Sequence, residues 1–400
     1  MRARRAQTRA SVAREPAAKP YSARMTRSFV VVNGIGDNVV AFRGALVREL
    51  VARGHRVVVS TPRPIERPAD EVEREVRALG AECVFSPLDR TGVNPIRERA
   101  ARRHYHELFD RLRPHGVFAS NPKPVFHAIP AARAAGVPNR VAMVTGLGYA
   151  FISESLKARL LRIVARRLYA RAMRDATAVL FQNDDDRGYF ERTGLLPRDA
   201  RASTVGGSGV DLAAFPERPA PAAAPVFLMV ARLLGDKGVR EFAEAARIVR
   251  AARPECRFRL VGWIDANPAA IRREELDEWI RAGTVEYAGR LDDVRDELAA
   301  CSVFVLPSYR EGTPKSTLEA LATGRPVVTT DAPGCRETVE DGMNGLLVPP
   351  RDARALADAC LALAADSGRR EAMGRASRAR AERRFDVRIV NAAIADALGA

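Results

Sequence analysis

The sequence predicts an α/β protein made of two parallel-sheet domains in tandem. Short continuous runs of Val, Leu, Phe and Ala alternate with longer amphipathic segments, the pattern of strands covered on both faces by crossover helices. That alternation pauses once, near residues 206–225, in a Gly-, Pro- and Ala-rich stretch, and then restarts. The chain's 400 residues suit about two to three domains, and 47% hydrophobic with 28% charged residues is a globular composition.

The first half opens on Phe29-Val30-Val31-Val32, followed by Asn33-Gly34-Ile35-Gly36 and a helical pattern over 39–53 closed by Gly54. Further strands are expected at 56–60, 83–85, 117–119, 141–144 and 178–181. Past the pause the strands fall at 226–231, 258–261, 285–287, 303–306, 327–330 and 346–348. From about Asp352 the chain reads as helical, and Phe385-Asp386 marks a break before a last helix. The expected division is a basic arm at 1–24, a first domain at 25–210, a second at 211–385 and a terminal helix at 386–400.

Charge narrows the partners. Lys and Arg number 65 against 49 Asp and Glu, a net +16 that invites a phosphorylated ligand, an anionic membrane surface or nucleic acid. The first 24 residues carry +6 of it, with no apolar segment behind them, so they read as a disordered arm before Met25 and not as a secretory signal. No apolar run reaches the roughly 18 residues that span a bilayer. Five scattered cysteines without a CxxC pair argue against a zinc knuckle or a disulfide framework and fit a reducing cytoplasm.

Two loops concentrate the chemistry. The strand at 226–231 runs into Arg232-Leu233-Leu234-Gly235-Asp236-Lys237-Gly238 and then a helix. Two cations thereby sit at the carboxyl edge of a parallel sheet beside a helix N-terminus, a field that suits a diphosphate. The strand at 303–306 leads into Glu311-Gly312-Thr313-Pro314-Lys315-Ser316-Thr317-Leu318-Glu319, where Thr313-Pro314 is expected to cap a helix and present free amides at Lys315 to Leu318. Carboxylates beside phosphates are tolerated when sugar or ribose hydroxyls stand between them and donate hydrogen bonds.

Ala231-Arg232-Leu233 with Lys237-Gly238, followed by Glu311 and, eight positions on, Glu319, resembles the retaining glycosyltransferases of the GT-B, family-4 type. Phe42-Arg43-Gly44, Leu88-Asp89-Arg90-Thr91-Gly92-Val93-Asn94-Pro95, Lys123-Pro124, Val144-Thr145-Gly146-Leu147-Gly148-Tyr149, Phe181-Gln182-Asn183, Gly207-Ser208-Gly209-Val210-Asp211 and Glu340-Asp341-Gly342 resemble its capsule and O-antigen branch. The resemblance implies two Rossmann-like domains facing across a cleft, with the last helix returning to the first domain. It implies that Arg232 and Lys237 hold the donor diphosphate and stabilise the departing nucleotide, that Glu319 takes the ribose, and that Glu311 contacts the transferred sugar. Gly312, Thr313, Lys315, Thr317 and Leu318 would line the donor, and Arg290 would lie near the base. No metal or other cofactor is implied. The implied reaction moves a hexose or N-acetylhexosamine from a nucleotide sugar, UDP-linked by expectation, to a polyprenyl-diphosphate glycan at the inner membrane face. Many relatives carry a His after the fourth strand, where this chain has Ser120, and Lys123 is then the nearer candidate for an acceptor contact.

Other readings compete. Gly34-x-Gly36 lacks the third glycine and the acid of a dinucleotide fingerprint, so the two glycines are assigned to an acceptor cleft. Asp184-Asp185-Asp186 reads as a helix start, not a metal motif. Leu156, Leu160, Ile163 and Val164 share a helical face, among Lys157, Arg159, Arg162, Arg166, Arg167, Arg171 and Arg174. Either that face is buried, or the helix lies on anionic lipid. No nucleic-acid reader module accompanies the charge. A nucleotide-sugar epimerase of the same architecture, and a non-enzymatic anion binder, remain as alternatives.

Overall fold

The computed structural model describes residues 26–89, 94–148, 151, 155–221, 224–265, 267 and 269–400. The arm at 1–24, Met25, Arg90 to Val93, Tyr149 and the side chain of Lys157 lie outside the described parts.

Seven parallel strands form the first sheet: β1 Ser28–Asn33, β2 Arg56–Pro62, β3 Glu82–Ser86, β4 Gly116–Ser120, β5 Asn139–Val144, β6 Ala178–Phe181 and β7 Ala202–Thr204. Their spatial order is β3-β2-β1-β4-β5-β6-β7. Both faces are covered, which is why β1 is a continuous apolar run. Phe29 and Val31 pack with Leu46, Leu50 and Ile394 on one side. Val30 and Val32 pack with Phe109 and Ile129 on the other. Burial of one such side chain contributes about 1.5–3 kcal/mol. β7 escaped the sequence reading because it is three polar or small residues at a sheet edge, half exposed, with no apolar run.

The second sheet has six parallel strands: β8 Val226–Val230, β9 Arg257–Val261, β10 Glu286–Gly289, β11 Val303–Leu306, β12 Val327–Thr330 and β13 Gly345–Val348. Its order is β10-β9-β8-β11-β12-β13. In each sheet the strand order reverses at one place, between β1 and β4 and between β8 and β11. Crevices at such switch points, beyond the carboxyl ends of the strands, are where open α/β sheets bind ligands.

Two passes of the chain link the domains and run side by side. The Val210 amide donates to the Phe385 carbonyl at 2.7 Å, and the Val387 amide donates to the Val210 carbonyl at 3.0 Å. Gly209 adopts φ 71°, and a Cβ there would stand 2.6 Å from Val387 Cα, so only glycine fits. After this crossing the last helix, Val387–Leu398, capped by the Asp386 side chain, packs Val390, Ile394 and Leu398 against the first sheet.

Candidate active site

A cleft of about 500 Å³ opens between the carboxyl edges of the two sheets. One wall is N-terminal: Asn33, Asn38, Phe42, Arg43, Asn121, Thr145 and Gln182. The facing wall is C-terminal: Arg232, Lys237, Trp263, Arg290, Glu311 to Ser316, and Glu319. Both switch points therefore feed one space.

The C-terminal wall follows from two strand exits. After β8 the chain passes Arg232 and makes a single 3₁₀ turn, Gly235–Lys237, and left-handed Gly238 starts helix Val239–Ala252. After β11 it passes Ser308 and Glu311 before α10, Lys315–Ala322. These adjacent exits bring Lys237 to Glu311: Nζ to Oε1 is 2.5 Å, with side chains 17% and 13% exposed. Ser308 Oγ donates to the same oxygen at 2.8 Å. Arg232 Nη1 is 2.9 Å from Asp265 Oδ2. Glu319 projects from α10 into the cleft, 3.5 Å from Lys315 Nζ. Burial pushes its carboxyl above the usual range, although Lys315 acts the other way. Arg290 stacks 4.6 Å from the Trp263 ring centroid and reaches across to Glu66 at 2.6 Å. Such a site can receive a diphosphate between two cations, hydroxyls at two carboxylates, and a flat ring beside Trp263 and Arg290.

The sequence-derived list needs several corrections. The cap of α10 is Pro314, in an extended conformation, one residue later than Thr313, because Thr313 Oγ1 is engaged elsewhere, donating to the Gln182 carbonyl at 2.7 Å. The amides of Thr317 and Leu318 donate to the Pro314 carbonyl at 3.1 and 3.2 Å, and both side chains are buried, so neither lines the cleft. The free helix-end amides are those of Lys315 and Ser316. Lys315 Nζ also donates to the Ala41 carbonyl at 2.9 Å. Ser120 is fully buried, its Oγ donating to Asn33 Oδ1 at 3.2 Å, and Asn121 faces the cleft in its place. Lys123 does not line the cleft: it pairs with Glu98 at 2.6 Å, and buried His127 takes the same carboxylate. Gly34 and Gly36 line a second cavity of about 720 Å³ in the N-terminal domain, with Arg63, Phe85 and His104. Ile35 borders both spaces.

Asp184, Asp185 and Asp186 do start a helix, Asp184–Arg192, capped by Asn183, and each carboxylate turns to a different partner. Asp185 takes Arg336 at 2.7 Å, Asp186 takes Arg310, and Asp184 accepts from Thr204. Two of these partners lie on the other domain. Asn183 Nδ2 adds a bond to the Gly312 carbonyl at 2.9 Å. The Glu311-Gly312 loop is thus gripped from the first domain, and a Cβ on Gly312 would come within 2.4 Å of the Thr145 carbonyl and Gln182 Oε1. Among the described residues, no group of three or more His, Cys, Asp or Glu could hold a metal ion.

Sequence reasoning missed Asp265, Trp263, Asn121, Glu66 and the Asn183–Asp186 grip. Trp263 and Asp265 follow directly on β9, so their place at the same sheet edge was inferable. The pairings across 128 positions or more, such as Asn183 with the Glu311 loop, had no local signal.

The basic helix, here α5 (Leu156–Asp175), differs from the buried-face expectation. Leu156, Leu160, Ile163 and Val164 are 82, 65, 50 and 47% exposed, while Ala158, Tyr169, Ala172 and Met173 form its buried side. Arg167, Arg171 and Arg174 continue the outward face. No helix among the described residues is long and apolar enough to cross a membrane.

Residues 39–205 match the family described as glycosyl transferase 4-like domain, and residues 224–366 the family described as glycosyl transferases group 1. The chain is 29% identical over 336 residues to the N,N'-diacetylbacillosaminyl-diphospho-undecaprenol alpha-1,3-N-acetylgalactosaminyltransferase of Campylobacter jejuni, covering 81% of this chain and 85% of that protein. It is 32% identical over 246 residues to a colanic acid biosynthesis glycosyltransferase of Escherichia coli, covering 58% and 59%. In three dimensions it resembles Anabaena Alr3699/HepE in complex with UDP, with a TM-score of 0.72 at 19% identity over 93% of this chain and 99% of that one, a likeness of fold. These matches remove the epimerase and the non-enzymatic binder. With both domains matched and two parallel sheets facing one cleft, the chain belongs to the group 1 and 4-like glycosyltransferases, with the GT-B fold.

Proposed function

We propose that this enzyme transfers a hexose or N-acetylhexosamine from a UDP-sugar, with retention, to a polyprenyl-diphosphate-linked glycan in surface polysaccharide biosynthesis. The observation that carries this reading is the convergence of Arg232, Lys237, Glu311 and Glu319 on one interdomain cleft. The donor diphosphate sits against Arg232, Lys237 and the first amides of α10. Glu319 accepts from the ribose, the base lies by Trp263 and Arg290, and the sugar faces Glu311.

The chemistry follows from charge. As the anomeric C–O bond breaks, negative charge grows on the departing diphosphate and positive charge on the sugar. Preorganised cations at that diphosphate stabilise the transition state by about 3 kcal/mol per donor. Glu311 is held by Lys237 and Ser308, which suits it to the sugar's positive charge and hydroxyls more than to nucleophilic attack. The acceptor hydroxyl therefore attacks C1 on the face that the leaving group vacates. Its proton passes to the departing phosphate oxygen, and UDP leaves. The C. jejuni relative, whose name specifies a diphospho-undecaprenol acceptor, supports a lipid-linked glycan here. The reaction needs no metal in this scheme.

The outward face of α5 supports a peripheral station on the inner face of the cytoplasmic membrane. Apolar side chains at Leu156, Leu160, Ile163 and Val164 enter the headgroup boundary, and Arg159, Arg167, Arg171 and Arg174 meet anionic lipid. Incubation with a panel of UDP- and GDP-sugars and polyprenyl-diphosphate glycans tests the function. Label from at least one UDP-sugar is expected in the lipid product; no transfer and no nucleotide-sugar binding would overturn it.

A further inference from the structure

Among the described residues five cations line the cleft, and four of them have a carboxylate partner: Arg232 with Asp265, Lys237 with Glu311, Arg290 with Glu66, and Lys315 with Glu319. Arg43 is the exception. It lies in the helix Val39–Ala52 on the N-terminal wall and is only 3% exposed. Its Nε donates to Ser120 Oγ at 3.3 Å and its Nη2 to Met143 Sδ at 3.2 Å, one long bond and one weak acceptor. Beneath it the Phe118 ring centroid is 5.2 Å from Cζ. Among the described residues no carboxylate lies within ion-pair distance.

A buried charge without a countercharge is costly to a fold, and native interiors keep one chiefly where something outside the chain neutralises it. Burial alone pushes this guanidinium down to about 10, so it stays charged at neutral pH. Ser120, Met143 and Phe118 belong to β4 and β5, so the charge sits at the carboxyl edge of the first sheet, beside its switch point. Arg43 belongs to the motif Phe42-Arg43-Gly44, apart from the donor-side loops at Arg232–Lys237 and Glu311–Glu319.

We propose that Arg43 is an anion site on the N-terminal wall that receives phosphate oxygens of a diphosphate ester. A planar guanidinium matches two oxygens of one phosphate. Of the two diphosphates the reaction brings together, the donor's already meets Arg232 and Lys237 on the opposite wall. Arg43 is accordingly assigned to the diphosphate of the lipid-linked acceptor, an assignment that rests on the function proposed above. The cation would then hold the acceptor while its hydroxyl reaches the sugar.

Arg43→Met removes the charge and keeps the length; Arg43→Lys keeps the charge and loses the fork. Farnesyl diphosphate is titrated into each purified protein with UDP saturating, UDP is titrated separately into the same proteins, and melting temperature is recorded with and without ligand. The expected result is an Arg43→Met protein that melts at or above the wild-type temperature without ligand, yet binds farnesyl diphosphate roughly 30-fold more weakly, as for a lost charge-assisted contact. Arg43→Lys is expected in between. A lower melting temperature with farnesyl diphosphate affinity within twofold of wild type would overturn the anion site and make Arg43 a packing residue. If UDP affinity fell and farnesyl diphosphate affinity did not, the acceptor assignment would be overturned in favour of the donor. A wild-type enzyme that binds farnesyl diphosphate through Arg43 but transfers no sugar to lipid-linked glycans would uphold this site while removing the proposed function. Should Arg43→Met not fold, the Arg43→Lys titration decides alone: unchanged affinity with a full melting shift refutes the bidentate contact.

Discussion

Replacing Lys237 with Met leaves the shape of the side chain and deletes its ammonium. Two losses follow, and they can be measured apart. The first is structural: Glu311, 13% exposed, loses a partner at 2.5 Å and keeps Ser308 at 2.8 Å. Leaving a partly buried carboxylate short of a countercharge costs about 2 kcal/mol of stability once its residual exposure is allowed for. The second is chemical: the departing diphosphate loses one of two cations, about 3 kcal/mol, or roughly 150-fold in kcat. Glu311→Gln in the same chain removes the unpaired charge. The double variant is therefore expected to regain most of the lost stability in a thermal melt but none of the turnover. Measured against Glu311→Gln alone, adding Lys237→Met is expected to lower kcat a further ~100-fold. If Lys237 cost nothing in the Glu311→Gln background, its role would be to neutralise Glu311, and the leaving-group assignment would be wrong.

Gly312→Ala places a Cβ 2.4 Å from the Thr145 carbonyl and from Gln182 Oε1, so the loop carrying Glu311 must shift or the domains part. A fall of about 100-fold in kcat with little change in UDP affinity is expected, and wild-type turnover would count against the grip. Burial holds the Glu337 carboxyl at about 7, with Asp185 adding to the rise. Near pH 4 folded and unfolded chains are both protonated there; as the pH climbs past about 4.3 the unfolded chain ionises first and wild type loses stability until about pH 7. Glu337→Gln should thus match wild type in chemical denaturation near pH 4 and exceed it by about 1–2 kcal/mol at pH 8, whereas a pH-independent difference would refute the raised carboxyl. Leu160→Asp with Ile163→Asp alters two exposed side chains of α5, so stability should move by no more than about 1 kcal/mol. Sedimentation with anionic phosphatidylglycerol vesicles is expected to be lost, and undiminished sedimentation would remove α5 from the membrane face.

The layout was legible because burial on both faces writes each central strand as an unbroken apolar run. Among the described strands, central ones such as β1, β8 and β11 carry such a run, whereas β9, broken by Arg259, β10, Glu286-Tyr287-Ala288-Gly289, and polar Ala202-Ser203-Thr204 do not. The two strand exits at Arg232 and Glu311 were legible for the same reason, since a strand followed by a helix start fixes a sheet edge. What lay beyond reach was pairing at a distance. Nothing local couples Arg290 to Glu66, which follows from how the two domains meet, and nothing local seats Arg43 on Phe118, Ser120 and Met143, which follows from packing within the first domain. The α10 cap moved by one residue because Thr313, a good capping type, found a better acceptor across the cleft. On α5 the periodicity showed an apolar face truthfully but could not say which way it points. Small Ala158 and Ala172 let that side pack closely, and Leu156 and Leu160 were left outside.

The central claim is tested most directly by one transfer measurement. Wild-type enzyme is given radiolabelled UDP-sugar together with either a polyprenyl-diphosphate glycan or the same glycan freed of its lipid diphosphate, and label is counted in each product. The account predicts label on the lipid-linked glycan, released UDP in equal amount, and transfer to the free glycan lower by at least tenfold. Equal transfer to both acceptors, or UDP release without glycan labelling, would contradict it.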